Sequence, residues 1–169
     1  MWLLATVSYP LAGIAGRAVA GPATAWTSAL LAGAIAGRVV GVGQAIVMSP
    51  RRPDVRWAIA MAAGSGAGLG VSVGLGLTPL STGLVTGALI GVAQATVLAL
   101  AAGDARRSVL AWPVVVAVAW ALGWTVTTAI GVDPNAGWAV FGLSGALTSQ
   151  VVTLAGAFAL VGRSAKVPA

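Results

Sequence analysis

Four large polar side chains lie deep within mostly apolar stretches: Arg38, Gln44, Gln94 and Gln150. A guanidinium is a permanent cation with five N–H donors, and each primary amide offers two donors and an acceptor oxygen. Such groups can hold an anion or a polar solute, or bond to one another between helices. Other chemistry is excluded by what the chain lacks: it has no His, Cys or Glu, three Asp, and one Lys near its end. Zinc and iron–sulfur ligation, His or Cys ligation of haem and disulfide formation are therefore ruled out, as is a Schiff-base lysine inside the membrane. Proton-coupled transport is also unexpected, because no carboxylate falls within a span. Ser, Thr and Asp remain, but no nucleophile has a base beside it. No enzymatic activity, cofactor or metal is expected.

The elements that position these four residues are apolar helices. Of 169 residues, 59% are hydrophobic and 7% charged, and there are 24 glycines, which places the chain among polytopic membrane proteins. Apolar runs predict six spans, over residues 2–21, 25–48, 57–77, 82–102, 109–130 and 138–161. The first is read as a retained span and not a cleaved leader, since no basic side chain precedes it and Arg17 lies within it. Proline and glycine mark the turns at 21–24, 78–81 and 131–137, and polar loops lie at 49–56 and 103–108. Trp112-Pro113 is expected in the first turn of the fifth span, where proline is harmless.

Arg51, Arg52, Arg56, Arg106, Arg107, Arg163 and Lys166 all fall on one side of this topology, and the turns opposite hold no cation. The positive-inside rule makes that side, with both termini, cytoplasmic, in a cytoplasmic-type membrane. The net charge of +6 then implies anionic lipid as partner, and not nucleic acid. Asp54 and Asp104 moderate the charge of the basic loops, and Asp133 belongs to a turn. Trp2, Trp57 and Trp112 are expected as an interfacial belt at the cytoplasmic side, with Trp26 and Trp138 opposite. Arg17, about a turn from the outer end of its span, is expected to reach lipid headgroups.

A period of 55 residues relates Trp2, Trp57 and Trp112, then Gly13, Gly68 and Gly123, then Gly21, Gly76 and Gly131. The predicted fold is an all-α integral membrane protein, one transmembrane domain over 1–169. Its six helices form three repeated hairpins at about 1–56, 57–108 and 109–169, in a pseudo-threefold arrangement. Within the second helices, Gly33, Gly37, Gly41 and Gln44 recur as Gly83, Gly87, Gly91 and Gln94. Steps of four, four and three put each set on one helix face, as close packing in lipid requires. The pattern written as Gly37-Arg-Val-Val-Gly41-Val-Gly-Gln44 and Gly87-Ala-Leu-Ile-Gly91-Val-Ala-Gln94 resembles a group of uncharacterised bacterial multi-pass membrane proteins with GxxxGxxQ repeats. There a Trp often follows the Gln, whereas here Ala45, Ala95 and Val151 do. The resemblance implies a repeat architecture and no particular activity.

Three glutamines at matching positions can meet at a common axis, either as a solute site or as interhelical bonds. Arg38 is not part of the repeat, its equivalents being Ala88 and Ser144. At 1.5 Å per residue it lies roughly 15 to 20 Å from either surface. Its partner must be carbonyls and glutamines, water, an anionic ligand or lipid, or a carboxylate on another protein. Two functions follow. Either the protein is a subunit or assembly factor that docks other membrane helices, or its own copies, through glycine faces and Arg38. Or Arg38 and the glutamines serve a channel, transporter or membrane-embedded binding component for a small solute.

Overall fold

The computed structural model describes residues 2–49, 54–101, 106–133 and 136–164, and among these every regular element is helical. A 3-10 segment, Trp2–Val7, continues as α1 (Ser8–Ala20). Then follow α2 (Trp26–Met48), α3 (Val55–Gly74), α4 (Pro79–Ala101), α5 (Arg106–Ala129) and α6 (Leu143–Ser164). Six segments are long and apolar enough to cross a membrane: Trp2–Ala20, Trp26–Met48, Val55–Gly74, Pro79–Leu100, Val109–Ala129 and Leu143–Leu160. The chain is a polytopic all-α membrane protein.

Local sequence explains the ends of these helices. Pro10 has no N–H to offer Thr6, and its ring opposes an α-turn there, so the preceding segment winds as 3-10. The larger rise of that segment lets 19 residues cover about 31 Å. At the start of α3, Asp54 accepts the Arg56 N–H at 2.9 Å and caps the helix. Thr78 and Pro79 open α4 three residues before the predicted start, proline supplying a preset φ at the first helical position. The helices α3 and α5 end alike. Gly76 (φ 61°) and Gly131 (φ 93°) take left-handed backbone, and the next residues, Leu77 and Val132, donate back to Ser72 O and Thr127 O.

Two helix starts differ from the expectation with consequences for the core. The helix α5 begins at Arg106, so the polar residues 106–108 are its first turn and Pro113 lies in the helix interior, leaving the Val109 carbonyl without its helical donor. The helix α6 begins at Leu143, not Trp138. Its apolar lead-in is instead a non-helical strap that turns inward at Gly137 (φ 71°) and buries Ala139, Val140 and Phe141. Hydropathy cannot separate this strap from a helix, because backbone buried in protein at membrane depth need not be helical.

The helices close into a ring: each packs on its chain neighbours, and α6 packs on the N-terminal 3-10 segment. The centre is filled by Tyr9, Met61, Ile90, Val116, Trp120 and Phe141. Phe141 stacks on Tyr9 (ring centroids 5.3 Å apart) and meets Trp120 edge-on at 4.9 Å, while Trp124 closes on its other side at 5.9 Å. The strap thereby plugs the ring. Its entry is pinned by Ala23 N, which donates to Gly137 O at 2.9 Å, and by Arg17.

Candidate functional site

The glycine faces are spent inside the ring. A methyl group at Gly37 would lie 2.5 Å from Met61 O, one at Gly33 2.7 Å from Ser65 O, and one at Gly41 2.7 Å from Ala58 Cα. The second set meets α5 in the same way: Gly83 against Ala121, Gly87 against Val116 and Gly91 against Pro113, with separations of 2.5 to 2.6 Å. Backbones this close leave neither face free for a foreign helix.

One step beyond each glycine face, the glutamines turn inward near the end of the bundle that carries the basic segments. Gln44, Gln94 and Gln150 are 4%, 3% and 0% exposed and line one small cavity together. Trp57 Nε1 donates to Gln44 Oε1, and Trp112 Nε1 to Gln94 Oε1, each at 2.9 Å. Gln44 Nε2 reaches Gln150 Oε1 at 3.4 Å, and Gln94 Nε2 the Met61 sulfur at 3.2 Å. At the seam where the ring closes, Trp2 Nε1 donates to Thr153 Oγ1 at 3.2 Å, one turn beyond Gln150. Each tryptophan thus bonds to the helix preceding it around the ring, with α6 preceding the N-terminal segment. Trp57 and Trp112 are buried, which corrects their assignment to an interfacial belt; a buried indole N–H needs an acceptor, and the glutamines provide it.

The cavity between these amides measures about 10 Å³, room for a single water. Gln150 Nε2 has no protein partner among the described residues, and Gln150 lines the cavity together with Tyr9 and Ser149. Nothing larger than a water fits, and Arg38 is not among the lining residues. A larger hollow of about 350 Å³ opens at the opposite end, between the turns, with Thr24, Ser72, Thr82, Trp124 and Trp138 in its wall. The aromatic plug lies between hollow and cavity, with Trp124 lining the first and Tyr9 and Trp120 the second.

Arg38 is on the other side of its helix from this site. It is exposed at the outer surface of α2, in a stripe with Leu31, Ile35, Val42 and Ile46, and no described residue bonds to it. Gln44 faces inward and is already bonded, so of the alternatives open for Arg38 the glutamines of this chain are not its partner. Ten residues separate Arg38 from Met48 and twelve from Trp26, about 15 and 18 Å along the helix. A cation at such depth costs about 2.5–3.5 kcal/mol on insertion scales.

The remaining cations divide by position. Arg17, exposed, donates to Ala136 O, and its guanidinium lies 5.0 Å from the centre of the Trp138 ring. It fastens the strap to α1 while staying exposed near the outer end of its span. Arg56 pairs with Asp54 (Nη2 to Oδ2 3.0 Å) at the exposed start of α3. Those bonds, with the Arg56 backbone N–H, hold the Asp54 carboxyl below its ordinary range. Arg106 and Arg107 lie in the first turn of α5, and Arg51 and Arg52 lie outside the described residues.

Tyr9, Phe141, Trp57, Trp112 and Thr153 had no site role in the sequence-based expectation. The signal for the two tryptophans was present: each is near the same membrane level as a glutamine, and each pair joins consecutive helices. Phe141 left no such signal, because nothing in an apolar run distinguishes a plug from a span. Comparison with protein families, curated proteins and solved structures finds no match to the chain.

Proposed function

We propose that the protein is a non-catalytic component of a larger membrane assembly. In this reading it is built from three hairpins, with its basic end and both termini toward the cytoplasm and anionic lipid at that face. The carrying observation is Arg38, an exposed, unpaired cation at mid-span on the outer wall of the ring. Docking here falls to the outer surface of α2, since the glycine faces are used internally. Mild detergent extraction from native membranes tests it, with the native mass of the particle as readout. A stoichiometric partner that is lost from the Arg38→Leu variant supports the reading; a lone monomer from native membranes overturns it.

The hollow of about 350 Å³ favours a second reading, a small-solute component that takes its solute from the face opposite the basic segments. Passage would require Phe141 to leave its place between Tyr9 and Trp124. Flux of a solute panel into vesicles holding the pure protein tests it, and flux equal to that of empty vesicles sinks it.

A further inference from the structure

We infer that the Arg38 face of α2 receives a transmembrane helix of a different polypeptide, one that presents an Asp or Glu at mid-membrane depth. This rests on the assembly reading and names the chemistry of the partner. Arg38 is flanked along its stripe by Leu31, Ile35, Val42 and Ile46, a surface suited to lipid or to another helix apart from the cation itself. Headgroup phosphates lie farther along the helix than an arginine side chain extends. Neither cavity is lined by Arg38, so no internal water or solute reaches it from those spaces.

The chain cannot supply the counter-charge. Its acidic residues are Asp54, Asp104 and Asp133, all outside the six candidate spans. A second copy therefore brings no carboxylate to this level, and a twofold contact centred on this face would bring a second cation instead. The side chain that neutralises a guanidinium with two parallel hydrogen bonds is a carboxylate. In a membrane interior such a pair is the usual way to keep an ionisable group.

The surface beside Arg38 also suits the close approach of a helix. Gly66 of α3 lies against Leu30 and Ala34 of α2, and Gly70 lies against Leu30. Continuing that antiparallel register one turn places Arg38 level with Ala62. Ala62 is half-exposed, and Ala63 and Ala67 are exposed, so at the level of the cation the flank of α3 carries methyl groups, with the exposed Ile59 one turn along. A helix can settle there with its backbone near both α2 and α3, as small residues permit.

The test uses the full chain, donor-labelled, in neutral phosphatidylcholine vesicles with acceptor-labelled poly-leucine transmembrane peptides. One peptide carries a single central Glu, one a central Gln, and one only Leu. Energy transfer should show the Glu peptide binding at least tenfold tighter than the Leu peptide. Arg38→Leu should remove the difference, Arg38→Lys should keep part of it, and Arg38→Glu should shift the preference to a central-Arg peptide. Arg38 is exposed on the outer surface of α2, and circular dichroism checks that these variants keep the fold. Equal binding of Glu and Leu peptides, or a preference that survives Arg38→Leu, overturns the inference. A Glu preference together with a lone protein in native membranes upholds the carboxylate preference of the face and overturns the assembly reading. A native partner that Arg38→Leu does not release, with no peptide preference, does the reverse.

Discussion

The indole Nε1 of Trp57 donates to Gln44 Oε1 at 2.9 Å, joining the first turn of α3 to the last turns of α2. Trp112 and Gln94 make the same bond, at the same distance, between α5 and α4. The glycines bring these helix pairs together, and the amide and indole then fix how far one slides along the other. If the pair is such a register lock, its two members must couple. A double-mutant cycle of Trp57→Phe and Gln44→Leu, read by unfolding in SDS, should give a coupling of about 0.6–1.7 kcal/mol, the range of interhelical bonds in membrane proteins. Coupling indistinguishable from zero would leave the bond a bystander.

The close approach of α2 to α3 and of α4 to α5 predicts different effects for glycines of different position. Gly37→Ala and Gly91→Ala each place a methyl group 2.5 Å from backbone, at Met61 O and Pro113 Cα. Backbone cannot step aside as a flexible side chain can, so each should cost about 1–3 kcal/mol, as overpacking does. Gly142→Ala meets nothing within 4 Å and should be neutral. Unfolding midpoints of the three variants in one detergent decide this, and equal effects would show that the interfaces yield.

Sequence made the helices and their packing faces legible, because hydropathy and the four-residue step are local properties carried by Gly33–Gly37–Gly41 and by Gly83–Gly87–Gly91. It also brought the three glutamines to one level. Direction around the helix axis was not legible for Arg38. Gln44 lies six residues on, a turn of about 240° at 100° per residue, so the two point to different sides, and only the position of the ring centre decides which of them faces lipid. The strap was illegible for another reason. Ala139-Val140-Phe141 is as apolar as a span, and what bends it inward is Gly137 with the contacts of Ala23 and Arg17, which are distant in sequence.

The Asp54–Arg56 pair predicts a local response to pH. The folded carboxyl titrates below the unfolded value, about 3.9, so its contribution is fully present above that value and is lost as pH falls through the lower folded pKa. Both side chains are substantially exposed, so the effect belongs to the first turn of α3 and not to global stability. Amide hydrogen exchange at Arg56 N–H, which Asp54 Oδ1 accepts, should lose protection across that acid range once corrected for intrinsic exchange. In Asp54→Asn the corrected protection should not change with pH; a wild-type profile just as flat would mean that the cap does not persist in solution.

Phe141 separates the hollow at one end from the amide cavity near the other, with Trp124 on its hollow side and Tyr9 and Trp120 toward the cavity. Phe141→Ala removes the ring on which three aromatic contacts converge. In a core this dense it should cost about 3–5 kcal/mol, because the neighbours relax only partly into the space. It should also join the two spaces into a polar-lined path from Thr82 and Trp124 to Ser149 and Gln150. Stopped-flow shrinkage of vesicles under osmotic load reads this directly. The wild-type chain should pass no more water than empty vesicles, and Phe141→Ala should pass more. Passage by the wild type would mean that the strap leaves its seat unaided, and would favour the solute reading. Tightness in both would mean that Met61, Ile90 and Trp120 close the ring without the strap, whose remaining task is to brace α1 against α6.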